Sequence, residues 1–133
     1  MATTFQCTLV TPAEKLLDEK VVYASIPAHD GQIGVEHLRA PMLVKLGYGQ
    51  LRLDLADGSS EQYFVGGGFA QVKDDVLTLL TDEAEVANTI SASDEQQNLD
   101  TLLAKPAMSG FELEQHQKSL DRARARVEIA KHH

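Results

Sequence analysis

The chain has 133 residues, 43% of them hydrophobic and 24% charged, with 20 acids against 12 bases and a formal charge of −8. This composition supplies a real core without disulfides or a structural metal and does not read as disordered. The negative balance repels phosphate backbones and disfavours general nucleic-acid binding, and the single cysteine, Cys7, can form no internal disulfide or paired-cysteine zinc site.

No apolar run approaches the roughly 20 residues that span a bilayer. The opening Met1 to Pro12 has no basic leader before an apolar stretch, so a secretory signal is not expected there. The expectation is a soluble chain in a reducing, cytoplasm-facing compartment.

From the N-terminus, Phe5 to Val10 and Val21 to Ile26 are strand candidates. Asp30-Gly31-Gln32-Ile33-Gly34 reads as a glycine-punctuated turn and short strand, without dinucleotide-binding spacing. Gln50 to Leu55 alternates strictly, which places Leu51, Leu53 and Leu55 on one strand face. Asp57-Gly58 is then the expected tight hairpin turn, with positive φ at both residues, before Gln62 to Val65 resumes a strand. Gly66-Gly67-Gly68 lacks the Lys-Ser/Thr of a phosphate loop and leads into strand-like residues, so a connection needing positive φ is expected. Phe69 to Lys73 and Val76 to Thr81 follow, separated by Asp74-Asp75. Short strands recurring every 8–12 residues or so predict a sandwich or barrel over residues 1–87, with eight strands or more.

Near residue 88 the pattern changes. Only one of the nine glycines, Gly110, lies beyond Gly68. Ser93 to Gln96 reads as a capping box for a helix carrying Leu99, Leu102 and Leu103 and stopped by Pro106. Ser109 to Glu112 repeats the box, with a staple between Met108 and Leu113. Leu113, Leu120, Ala123, Val127 and Ala130 then form a thin apolar seam at helical spacing. The architecture is therefore mostly β plus α: a β-sandwich followed by an antiparallel helical hairpin over residues 88–133. Residues 1–109 hold 16 acids and 7 bases, residues 110–133 only 4 acids and 5 bases. Lys118, Arg122 and Arg126 recur every four residues and so form one stripe on the last helix. So small a hairpin is marginal alone and should dock on something; its stripe reads equally as a binding surface or a solvated face.

No catalytic constellation stands out. His29, Asp30, Glu36 and His37 do not follow metal-ligand spacing, and the pairs Asp74-Asp75 and Asp82-Glu83 sit in turns, where carboxylates are normally solvated. Three classes stay open on the residues: a subunit of a larger assembly, a stand-alone ligand-binding sandwich, and a small acidic hydrolase using turn carboxylates.

Six segments, in order, resemble the epsilon subunit of F-type ATP synthases: Phe5 to Leu17, Pro27 to Val35, Ala40 to Leu43, Phe64 to Val72, Val76 to Glu85 and Leu120 to Val127. The resemblance implies a subunit of the rotor's central stalk that has no catalytic residues of its own. Its sandwich would bind the gamma subunit and sit on the c-subunit ring. Its hairpin would extend beside gamma and restrain ATP hydrolysis, with the stripe Lys118, Arg122 and Arg126 meeting acidic surfaces of the catalytic beta subunits. The ring-facing loop maps to Gln32, Glu36, His37, Leu38 and Arg39, with Gly31, Gly34, Gly67 and Gly68 as structural glycines. Two departures fall in that loop: Gln32 stands where the family often has an acid, and His37-Leu38-Arg39 replaces its Pro-Gly-His. At the hairpin's start, Ile90 to Glu95 lacks the Ile/Leu-Asp-x-x-Arg-Ala motif by which some members bind ATP, so no ATP site or other cofactor is carried over. Such a subunit lies at the cytoplasmic face of the bacterial inner membrane and meets the membrane only through its complex.

Overall fold

The computed structural model describes residues 3–106 and 109–132. Ten strands come first: β1 (Phe5–Val10), β2 (Lys15–Val21), β3 (Tyr23–Ala28), β4 (Gly31–Val35), β5 (Met42–Lys45), β6 (Tyr48–Asp54), β7 (Ser60–Gly66), β8 (Phe69–Lys73), β9 (Val76–Leu80) and β10 (Glu83–Val86). A 3-10 turn, Ala87–Thr89, leads into helices α1 (Ala92–Leu103) and α2 (Phe111–Lys131). The fold is a β-sandwich followed by a helical pair.

Two five-stranded sheets form the sandwich, in the orders β2-β1-β9-β8-β5 and β10-β7-β6-β3-β4; they are called sheet A and sheet B below. All pairings are antiparallel except β1 with β9, which run parallel with Cys7 opposite Leu77. Alternation buries one face of each sheet. Phe5, Cys7, Leu9, Val72, Leu77 and Leu79 from sheet A meet Ala24, Ile26, Val35, Leu51, Leu53 and Val65 from sheet B in one core. Burial pushes the Cys7 thiol up to about 12, so it is unreactive at neutral pH.

Several sequence expectations shift at the turns. Asp57-Gly58 does not make a two-residue turn: only Gly58 has positive φ (90°), and Leu55 N–H bonds Ser59 O in a wider loop. The tight turn with positive φ at both central residues occurs instead at Asp74-Asp75 (53° and 64°), joining β8 to β9. Aspartate tolerates this region better than most residues because its short side chain bonds nearby backbone. Val21 to Ile26 is not one strand either, since Val22 breaks it between β2 and β3.

The helix starts also move. Ser91, not Ser93, caps α1: its backbone is extended and its Oγ accepts from Asp94 N–H. Ser93 lies inside the helix. α2 begins after Gly110 (φ 63°) with no side-chain cap, so Ser109 does not form the expected box; Met108 of the expected staple lies outside the described residues. Leu113 is exposed and leaves the seam. What remains is two small clusters. Leu99, Leu120, Ala123 and Val127 hold the helices to each other, whereas Ile129 and Ala130 pack with Phe64, Ala87 and Ile90 against the sandwich.

Candidate functional site

Three surfaces carry features that the core does not require. The first is the outer face of sheet A. Outward positions alternate with the core positions, so Val10, Leu43, Phe69, Val76 and Leu80 point away from it. Phe69 and Leu80 are register partners, and Leu43, Phe69 and Leu80 are 69%, 53% and 56% exposed. The charges beside them are Lys15, Lys20, Lys45 and Lys73, with Asp18 the only acid on these strands' outward positions, and it pairs with Lys15 at 3.2 Å. Across the strands Val10, Leu80 and Phe69 line up as one apolar row ended by Lys15 and Lys45, beside a polar row of Thr8, Thr78 and Gln71, so four of the chain's seven lysines frame a face that is apolar along one row. The helices leave this face open, because α2 lies on β6 and β7 of the opposite sheet.

The second surface is the loop after β4. Gln32 lies on β4, accepting from Ser25 Oγ at 2.8 Å and donating to Gln50 O. Downstream, Glu36 is exposed and its carbonyl takes the Arg39 N–H. Arg39 Nη1 donates to Gly34 O at 3.1 Å. His37 Nδ1 lies 2.6 Å from Asp75 Oδ2, while Asp75 Oδ1 accepts the Leu38 N–H at 2.9 Å. Leu38 is 77% exposed at φ 63°, a conformation that costs a non-glycine residue about 1 kcal/mol or more. The Asp75 carboxylate, 37 positions away, thus holds a strained, solvent-facing leucine at one end of the sandwich. Sequence reading placed Glu36 to Arg39 together but missed Asp75, which only the β8–β9 turn brings to them.

Of the four structural glycines, Gly31, Gly67 and Gly68 hold positive φ. Gly34 does not. Its reason is proximity, since an added Cβ would lie 2.5 Å from the Tyr23 hydroxyl.

The third surface is the seat of α2 on sheet B, and it corrects the expectation of a free basic stripe. Arg126 is buried at 7% exposure, with its guanidinium 4.9 Å from the Phe64 ring centroid. Its Nη2 lies 2.6 Å from Glu85 Oε2 and its Nε 2.8 Å from Glu95 Oε1. Burial opposes its charge, but the two carboxylates outweigh burial and raise its pKa further. Arg122 is clamped on the Glu83 carboxylate through Nε and Nη2, the latter at 3.1 Å from Oε2. Only Lys118 of the stripe remains exposed, beside Arg124 along a groove whose lining also includes Lys45, Gly67 and Asp82. The even four-residue spacing was real, yet two of the stripe's three bases turn inward, onto Glu83 and Glu85 of β10 and Glu95 of α1.

Residues 4–87 match the family described as ATP synthase, Delta/Epsilon chain, beta-sandwich domain. The chain is 36% identical over 126 residues to the ATP synthase epsilon chain of Rhodopirellula baltica, covering 95% of this chain and 98% of that one. It is 34% identical over 128 residues to that of Granulibacter bethesdensis, covering 93% and 95%. Its structure superposes on a chain of the Euglena gracilis mitochondrial ATP synthase, determined as OSCP/F1/c-ring in rotational state 1, with a TM-score of 0.85 and 26% identity, covering 98% of this chain and 82% of that chain. The protein belongs to the epsilon-chain family of F-type ATP synthases. No helix among the described residues is long and apolar enough to cross a membrane.

Proposed function

We propose that this protein is a non-catalytic central-stalk subunit that couples the catalytic head of an F-type ATP synthase to its c-ring, with a helical arm able to restrain ATP hydrolysis. The observation that carries the reading is the open apolar row on sheet A, Val10, Leu80 and Phe69, with lysines at both ends. Exposed apolar patches with a polar rim are the usual mark of a protein interface. In a family of stalk subunits the gamma subunit is the natural occupant. The end of the sandwich bearing Leu38, stiffened by Asp75, faces the c-ring, and the complex alone brings the protein to the membrane, on the cytoplasmic side in a bacterium.

The test is co-purification with gamma. Phe69→Glu with Leu80→Glu places two carboxylates in the centre of the patch. A loss of about 2 kcal/mol or more, roughly thirtyfold in affinity, is expected if these residues are interface anchors. Unchanged binding with an intact fold would move gamma elsewhere. The loop orientation is tested by Leu38→Cys, since buried Cys7 will not compete for a maleimide cross-linker. Cross-links should reach c subunits; links confined to the catalytic head would reverse the orientation. Deleting residues 110–133 should raise hydrolysis by the assembled complex, and equal rates with and without them would remove the restraint.

A further inference from the structure

We propose that Arg126 is the latch of the helical arm: stacked on Phe64 and shared between Glu85 of β10 and Glu95 of α1, it fastens both helices to sheet B as one unit, and the same guanidinium becomes a binding group only when the arm leaves.

The apolar contact alone is slight. Ile129 and Ala130, with half-buried Ala125, meet Phe64, Ala87, Ile90 and half-buried Tyr48. The cluster that holds α1 to α2 is separate, built from Leu99, Leu120, Ala123 and Val127. Arg126 lies among residues of both clusters, with Ala125 of one before it and Val127 of the other after it, and its partners lie on three different elements. Its ties to Glu85 and Glu95 are 41 and 31 positions long, which makes it a link between sandwich and both helices rather than a local helix pair.

The geometry calls for arginine in particular. One planar group stacks flat on an aromatic ring and sends hydrogen bonds in two directions from Nε and Nη2. A lysine ammonium in the same place has no planar fork to do this. Desolvation also makes the arrangement all-or-none. Losing one member strands a buried charge, whereas replacing the whole set with apolar groups is commonly tolerated. Arg122, clamped on Glu83 beside the same ring at 5.9 Å from its centroid, adds a second, more exposed tie.

The consequence is a switch in the arm's charge. While docked, α2 buries Arg126 and ties Arg122 to Glu83, which leaves only Lys118, Arg124 and Lys131 of its five bases free of the sandwich's carboxylates. Once released, it presents all five. The sandwich's own glutamates therefore compete with any acidic partner for the same two guanidiniums. This rests on the reading of α1 and α2 as a movable arm, but docking can be measured without the complex.

The experiment is hydrogen–deuterium exchange on the full isolated chain, comparing wild type with Arg126→Lys, Arg126→Met, the pair Glu85→Gln and Glu95→Gln, and the triple Glu85→Met, Glu95→Met and Arg126→Met. Exchange across α1 and α2 should rise about tenfold or more in the first three, with β1 and β9 unchanged as internal controls, and protection should largely return in the triple. Wild-type protection of the helices in Arg126→Met and in Arg126→Lys would overturn the latch. So would opening of α2 with α1 still docked, continued opening in the triple, or loosening of β1 and β9, which would make Arg126 a residue of the general fold. Since no nucleotide hydrolysis is read, a failed latch leaves the stalk assignment standing, and a failed stalk assignment leaves the latch measurable.

Discussion

Replacing Gly68 by alanine should be among the most damaging single-methyl changes in this protein. Gly68 joins β7 of sheet B to β8 of sheet A, so the chain changes sheets here. It holds φ 94°, and an added Cβ would stand 2.0 Å from Leu80 O and 2.7 Å from Thr81 Cα. Both are backbone atoms, so no rotamer change relieves the clash. The neighbourhood is also pinned: Leu46 N–H bonds Gly68 O, Thr81 N–H bonds Val10 O, and the buried Thr81 hydroxyl lies 2.7 Å from Gly67 O. A positive φ on alanine costs about 1 kcal/mol, and displacing packed backbone adds about 1–3 kcal/mol more. The expected loss is therefore about 2–4 kcal/mol, a large share of the roughly 5–15 kcal/mol that holds a domain together. Gly67 supplies the control. It too has positive φ, 76°, but a Cβ there meets the mobile Asp82 carboxylate at 2.7 Å, which can swing aside. Gly67→Ala should cost only about 1 kcal/mol. The chain has no tryptophan, so far-UV circular dichroism in urea is the practical readout. With an m-value of about 1–3 kcal/mol per molar, the midpoint for Gly68→Ala should fall by about 1–2 M and clearly further than for Gly67→Ala. Equal shifts at the two positions would refute the steric reasoning.

Glu19 faces the sandwich interior opposite Cys7, with a buried Oε1 that has no donor and the Glu61 carboxyl beside it; burial first, then Glu61, raises its pKa from 4.5 to about 7. The folded state therefore holds this proton more tightly than the unfolded one, and the stability it contributes is complete below pH 4.5 and lost as pH rises toward 7. Urea midpoints should fall across that window in the wild type and do so less steeply in Glu19→Gln; parallel pH profiles would show that Glu19 is not the group responsible. Truncation after Asn88 should leave a body with a cooperative unfolding transition, because the main core draws on the strands alone. The newly bared Phe64 should make it less soluble, and loss of the transition would show that the helices belong to the same folding unit.

Much of the sandwich was legible because alternation is a local signal. Phe5–Val10 and Phe69–Lys73 were read to the residue, and the run at Gln50–Leu55 differs from its strand by two residues at most at either end. β2 was missed as a strand because its sequence, KLLDEKV, exposes charges on an outer face at the sheet's edge, which blurs period-two hydrophobicity. The cap of α1 was misplaced because Ser91 and Ser93 are chemically equal candidates; the extended backbone of Ser91 decides between them. Arg126 shows the deeper limit. Its place between Ala123, Val127 and Ala130 already put it near the buried face, but long cations are rarely buried without partners. Those partners lie on β10 and α1, and no spacing within α2 could have announced them.

The two outer faces of the sandwich differ in their chemistry. Sheet A turns outward an apolar row, Val10, Leu80 and Phe69, ended by Lys15 and Lys45 and left uncovered by the helices. Sheet B covers its outward Phe64 with Ile129, Ala130 and the arginines of α2. Charged ties across a small apolar contact give a docking energy that a competing set of carboxylates can match, which a seam of leucines would not allow. Because the faces lie on separate sheets, joined through a core that neither one interrupts, the proposed release of the arm from sheet B would leave the outer face of sheet A undisturbed. The proposed stalk role, in which the sandwich stays on the rotor while the arm changes position, would use that separation, and Gly68 stands at one of the five connections by which the chain crosses between the sheets and makes the two faces one body.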